Sequence, residues 1–113
     1  MTAMTTNDKT LSRLGLAMRA GKLVSGDETV LKTIRAGEAK LVVLARDASD
    51  NTRKKVADKC TSYEVELLVG YSRYELGYAV GKPERVLFAV TDQGFAKLIR
   101  DSFVQHSEVE NIE

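Results

Sequence analysis

With 113 residues, 43% of them hydrophobic and 29% charged, the chain suffices for one domain that folds without disulfide or metal staples. No apolar run exceeds Leu41-Val42-Val43-Leu44-Ala45, the start Met1-Thr2-Ala3-Met4 lacks the basic and apolar stretches of a secretory signal, and Cys60 is alone, so an internal disulfide is excluded, neither a membrane span nor a leader is expected, and a reduced, cytoplasmic setting is. The formal net charge of +1 is unevenly divided: residues 1–100 hold all 17 Lys and Arg against 12 Asp and Glu, while 101–113 has Asp101, Glu108, Glu110 and Glu113 and no basic residue, a pattern that suits either a polyanion partner or plain solvation.

In chain order, Leu11, Leu14, Gly15 and Met18 recur at helical spacing, with Gly21 as the stop. Leu23-Val24 reads as a short strand. Ser25 followed by Glu28 has the form of a capping box and predicts a second helix to Gly37, with Val30, Leu31 and Ile34 inward. The run 41–45 reads as a buried strand. Turn and cap residues from Asp47 to Asn51 precede a third helix whose inner face is marked by Val56 and Cys60, and residues 65–69 read as a second central strand. Ser72 and Glu75 repeat the capping-box pattern, opening a short helix that ends at Gly81, with Pro83 in the loop beyond. Residues 86–90 read as a third buried strand. Asp92 is placed to cap a last helix with Phe95, Leu98, Ile99 and Phe103 inward. Strands alternating with helices predict a three-layer α/β/α sandwich with a small mixed central sheet over residues 8–103, and a flexible acidic tail over 104–113.

Catalytic chemistry is missing from this pattern. His106 has no carboxylate or serine partner at motif spacing, Cys60 falls on the core side of its helix, and neither a P-loop nor a Gly-x-Gly-x-x-Gly stretch occurs. No enzymatic activity, cofactor, metal or small-molecule substrate is expected. What remains is backbone and charge at two loop edges. In Ser25-Gly26-Asp27-Glu28-Thr29 a helix N-terminus adjoins a residue without a side chain, and its N–H groups and partial positive charge suit phosphate. Gly26 permits close approach, Lys32 lies on the same helix face as Glu28, and Asp27 and Glu28 make sense there as acceptors for base amino groups. The same residues also have a purely structural reading, with Ser25 and Glu28 as a cap and Glu28–Lys32 as an i,i+4 pair. At the second edge, Gly81-Lys82-Pro83-Glu84-Arg85-Val86 puts two cations on a rigid turn, either against a nucleotide or simply in water. Arg53-Lys54-Lys55 with Lys59 reads first as the solvated face of the third helix and second as attraction for a nucleic-acid backbone. Tyr63, Tyr71, Tyr74 and Tyr78 read as packing residues and not as a stacking platform.

Gly26 with Lys32, then Ala39-Lys40-Leu41-Val42-Val43-Leu44-Ala45-Arg46-Asp47, Cys60, Leu76-Gly77-Tyr78-Ala79-Val80-Gly81 and the strand 86–90 follow one another in an order that resembles the kink-turn RNA-binding ribosomal protein superfamily typified by archaeal ribosomal protein L7Ae. Leu14-Gly15-Leu16-Ala17, Ala48-Ser49-Asp50-Asn51-Thr52 with Lys54-Lys55-Val56, and Val90-Thr91-Asp92-Gln93-Gly94-Phe95-Ala96 are similar to its bacterial YlxQ branch. The resemblance covers about residues 10–103. It implies the α/β/α fold and non-catalytic binding of kinked or structured RNA, with ribosomal RNA a candidate. The second helix would enter a widened groove at tandem G·A pairs, and the loop after the fourth helix would pack on an extruded nucleotide. Against the superfamily's Gly-x-Asn-Glu-x-x-Lys pattern, Gly26 and Lys32 match, while Glu28 stands at the Asn position and Thr29 at the Glu position. The RNA-binding residues expected are therefore Gly26, Asp27, Glu28, Thr29, Lys32, Lys82 and Arg85. The alternative is a protein-interaction module that keeps the fold without RNA recognition, with Tyr71, Tyr74 and Tyr78 as its contact surface.

Overall fold

Residues of the two long apolar runs point alternately to opposite faces of one sheet. The computed structural model describes the backbone of residues 8–112 and the side chains of residues 8–103. Its strands β1 (Leu23–Ser25), β2 (Leu41–Leu44), β3 (Leu67–Val69) and β4 (Leu87–Val90) pair in the order β1-β4-β2-β3. β4 runs antiparallel to both β1 and β2, while β2 is parallel to β3, so the sheet is mixed. Around it lie α1 (Lys9–Arg19), α2 (Asp27–Arg35), α3 (Asp50–Ser62), α4 (Arg73–Ala79) and α5 (Gln93–Ile112).

The period of two sorts the core. Leu41, Val43, Phe88 and Val90 face Leu11 and Leu14 of α1, Leu76 of α4, and Ile99 and Phe103 of α5. Val42, Leu44, Leu87 and Ala89 face Val30 and Ile34 of α2, and Val56 and Cys60 of α3. Both faces are covered, so β2 and β4 are buried at every position and read as unbroken apolar runs. This is the α/β/α sandwich expected. On one side α1 and α4 meet at backbone distance: a Cβ at Gly15 would fall 2.6 Å from the Ala79 carbonyl oxygen.

Several boundaries differ from the sequence reading. The expected central strand over 65–69 is the shorter β3, at the sheet edge, with Val69 exposed. Val65 N–H donates to the Cys60 carbonyl, so residues 64–65 close α3 before any pairing begins. On α5 the inward position next to Phe95 and Ile99 belongs to Ala96, and Leu98 is exposed. The helix continues past Phe103 to Ile112. Of the tyrosines only Tyr71 packs inside, with its hydroxyl donating to the Asp8 carboxylate at 2.9 Å and its ring edge-on to Phe103 at 5.7 Å. Tyr63, Tyr74 and Tyr78 are exposed. His106 and the expected tail over 104–113 lie outside the residues whose side chains are described. Among the described residues no helix is long and apolar enough to cross a membrane.

The strand directions decide what gathers where. β1, β2 and β3 end at one edge of the sheet, where β4 begins. The chain leaving β1, β2 and β3 enters α2, α3 and α4 respectively. Three helix N-termini and the loop 81–86 therefore share one end of the molecule, the side of an α/β sheet where ligands usually bind.

Candidate functional site

Gly26 is the N-cap of α2, with φ 98° and ψ 147° and no side-chain hydrogen bond to the helix. Ser25 does not cap. It is still paired in β1, opposite Phe88, so the chain turns one residue later than the capping-box reading predicts, at a residue with no side-chain acceptor to offer. Gly26 N–H donates to the Leu87 carbonyl at 3.2 Å, and the Gly26 carbonyl accepts from Val30 N–H at 2.9 Å. The N–H groups of Asp27, Glu28 and Thr29 are left without a protein acceptor. In a helix start these three donors and the partial positive charge behind them form an anion site.

All the residues from Gly26 to Thr29 are exposed, as is Lys32. Glu28, Thr29 and Lys32 line one hollow of about 340 Å³ together with Arg35. No ion pair joins Glu28 to Lys32, which removes the i,i+4 half of the structural reading. Asp27 is offset differently: Lys55 Nζ on α3 lies 3.9 Å from its carboxylate, a half-exposed pair of small energetic weight. It marks where the second turn of α3 lies beside the start of α2, two helices held together by core packing of Val30 and Ile34 with Val56 and Cys60.

The second edge joins the first through the sheet. The Gly26–Leu87 hydrogen bond ties the α2 cap to the end of the 81–86 loop. The loop folds back along α4, with Lys82 N–H donating to the Gly77 carbonyl and Arg85 N–H to the Arg73 carbonyl, both at 2.9 Å. A Cβ at Gly77 would stand 2.4 Å from Glu84 Cα, so only glycine lets the loop lie this close. Lys82 is exposed and Arg85 half-buried, the latter donating to the neighbouring Glu84 carbonyl at 2.7 Å. Among the described residues Lys32, Lys82 and Arg85 enter no ion pair. All seven expected residues thus lie at one end of the sheet, in two groups joined by β1 and β4.

Several side chains at this end escaped the sequence reading. Arg73, hidden inside a capping-box motif, holds the loop bases together. Its N–H donates to Asp47 Oδ1 at 3.0 Å, its guanidinium to the Asp47 carbonyl oxygen at 2.8 Å, and it pairs with Glu84 at 3.6 Å. Arg46 pairs with Glu75 at 3.5 Å, and Arg53 donates to the Arg46 carbonyl. Arg35 followed from Lys32 by helical spacing alone. Lys55 stands in the basic run of the third helix, but its pairing with Asp27 needs the α2–α3 packing. Cys60 takes no part: it is 3% exposed in the core, and desolvation pushes its thiol up to about 11. Among the described residues no cluster of His, Cys, Asp and Glu could hold a metal ion.

Residues 8–100 match the model of the Ribosomal protein L7Ae/L30e/S12e/Gadd45 family. The chain is 59% identical over 87 residues to the RNA-binding protein YlxQ of Bacillus subtilis, covering 76% of this chain and 87% of that one. It is 46% identical over 93 residues to YlxQ of Enterococcus faecium, covering 82% and 89%. A solved structure from Bacillus halodurans, described as a protein with unknown function, superposes with a TM-score of 0.84 at 43% identity, over 86% of this chain and 98% of that one. With a family match that starts at α1 and runs into α5, and relatives that align over most of their length, the chain belongs to the ribosomal protein L7Ae/L30e/S12e/Gadd45 family, in its YlxQ branch.

Proposed function

We propose that this is a non-catalytic RNA-binding protein that takes sharply bent, structured RNA of the kink-turn type at the end of the sheet where α2 begins. One observation carries the reading: three backbone N–H groups without protein acceptors, at Asp27, Glu28 and Thr29, open next to Lys32 at the same end of the sheet as Lys82 and Arg85, cations that enter no ion pair among the described residues. Amides and cations together fit phosphate. The names of the two bacterial relatives, both RNA-binding proteins, support RNA as the polyanion.

In this reading the α2 amides meet phosphate, with Gly26 allowing the backbones to approach. Lys32 neutralises a phosphate or contacts a guanine edge, and Lys82 and Arg85 clamp the opposite lip. Glu28 and Thr29, which replace an amide and a carboxylate of the superfamily pattern, read bases differently. A carboxylate accepts from amino groups but donates nothing, and a hydroxyl is short but does both. Ribosomal RNA is a candidate ligand.

The test is a salt-controlled titration against a kink-turn RNA and a straight duplex of equal length. Lys32→Ala with Arg85→Ala is expected to weaken kink-turn binding about tenfold or more and to flatten the salt dependence. The melting temperature should hold, because neither side chain supports the core. Unchanged affinity rejects this surface as the binding site.

A further inference from the structure

Resting on the RNA reading above, and against the sequence expectation that these tyrosines only pack, we propose that the exposed Tyr74 and Tyr78 form a stacking platform for unpaired nucleotides that continue from the bent RNA across the outer face of α4. The two residues are four apart on one helix and so share a face. They are 64% and 63% exposed, more than any other large apolar side chain described. The opposite face of α4 puts Leu76 in the core, and the flank at Gly77 lies against the loop backbone. The rings therefore have no place inside.

Their surroundings point to the ligand. The loop folded back on α4 brings Lys82 and Arg85 alongside it. Through the Gly26–Leu87 bond the same loop leads to the unpaired amides of α2. The nearby carboxylates are already held, Glu75 by Arg46 at 3.5 Å and Glu84 by Arg73 at 3.6 Å. Exposed aromatic rings bordered by cations hold single-stranded nucleic acid with little sequence preference, because rings stack on bases while cations follow phosphates. The 81–86 loop links the platform's helix to the proposed RNA site, and it carries the charge that a polyanion needs.

Two RNAs separate the possibilities: a blunt kink-turn hairpin and the same hairpin with unpaired uridines at both ends. The full chain is expected to bind the extended RNA more tightly. Tyr74→Ala with Tyr78→Ala should remove that gain, about tenfold, and leave blunt-hairpin affinity unchanged. Tyr74→Phe with Tyr78→Phe should retain it. As an independent readout, 5-iodouridine in the extensions should crosslink to Tyr74 or Tyr78. If the alanine pair binds extended RNA as well as the parent does, or crosslinks fall only elsewhere, the platform is overturned and the RNA reading stands. If the alanine pair keeps its RNA but loses a partner that survives nuclease treatment, the face serves a protein and the platform is again overturned. Failure of the parent to bind either hairpin overturns the RNA reading and the platform together.

Discussion

Gly26 turns the chain out of β1 and into α2 at φ 98° and ψ 147°, a backbone region nearly closed to residues with side chains, where a Cβ costs about 1–3 kcal/mol. Nothing lies within 4 Å of the Cβ position, so the cost is torsional and repacking cannot relieve it. The turn also sets where the three unpaired amides point, because the Gly26 N–H is fixed to Leu87 and its carbonyl to Val30. Gly26→Ala is therefore expected to lower unfolding free energy by about 1–3 kcal/mol and to weaken RNA binding as the helix start rotates. Urea unfolding and RNA titration in one buffer read both effects. Parent-like stability would show that the torsion is not under constraint, and parent-like affinity would show that the amides are not the contact.

At the scale of elements, α4 matters more than its seven residues suggest. Its capping box is complete: Ser72 Oγ accepts from Glu75 N–H at 3.1 Å, and Glu75 accepts from Ser72 N–H at 2.8 Å. The first turn so fixed presents Arg73 to Asp47 and Glu84 and its carbonyl to Arg85. Ser72→Ala is expected to cost about 1 kcal/mol and to loosen the 81–86 loop, seen as faster amide hydrogen exchange at Lys82 and Arg85. Unchanged exchange at both amides would separate the cap from the loop. The contrast with α2 explains how much of the molecule was legible in advance. The Ser72–Glu75 box and the Ser25–Glu28 box look alike as text, but only the first lies in chain free of sheet pairing. In the second, the register of β1 with β4 takes Ser25 as a strand residue. The apolar runs announced β2 and β4 because burial on both faces leaves no polar position to mislead. The edge strand β3 was misjudged in place and length because half-burial carries little pattern. Both loop edges of the site were visible as local motifs. Their junction was not, since it depends on an antiparallel pairing of residues more than sixty apart in sequence. Arg73 was visible only as part of a cap, and the place of Lys55 beside Asp27 depends on how α2 and α3 pack.

For the whole molecule, the governing quantity is the field that a polyanion meets on approach. The net charge of +1 is the remainder of opposed parts, and residues 104–113 contribute Glu108, Glu110 and Glu113 without any Lys or Arg. Ending the chain after Phe103 keeps the buried Phe103 ring and the 2.7 Å hydrogen bond from Thr10 to Ser102 that ties α1 to α5, and raises the net charge to +4. Stability should change little, whereas RNA affinity should rise severalfold at low salt because fewer like charges oppose the RNA backbone. The advantage should shrink as salt is added, since the screening length falls from about 10 Å at 0.1 M to about 3 Å at 1 M. A plot of log affinity against log salt for both chains reads this directly: the truncated chain should start higher, fall more steeply and converge with the parent. Superimposed lines would mean that the terminal carboxylates lie beyond the reach of the bound RNA, and that the basic body alone sets the long-range attraction.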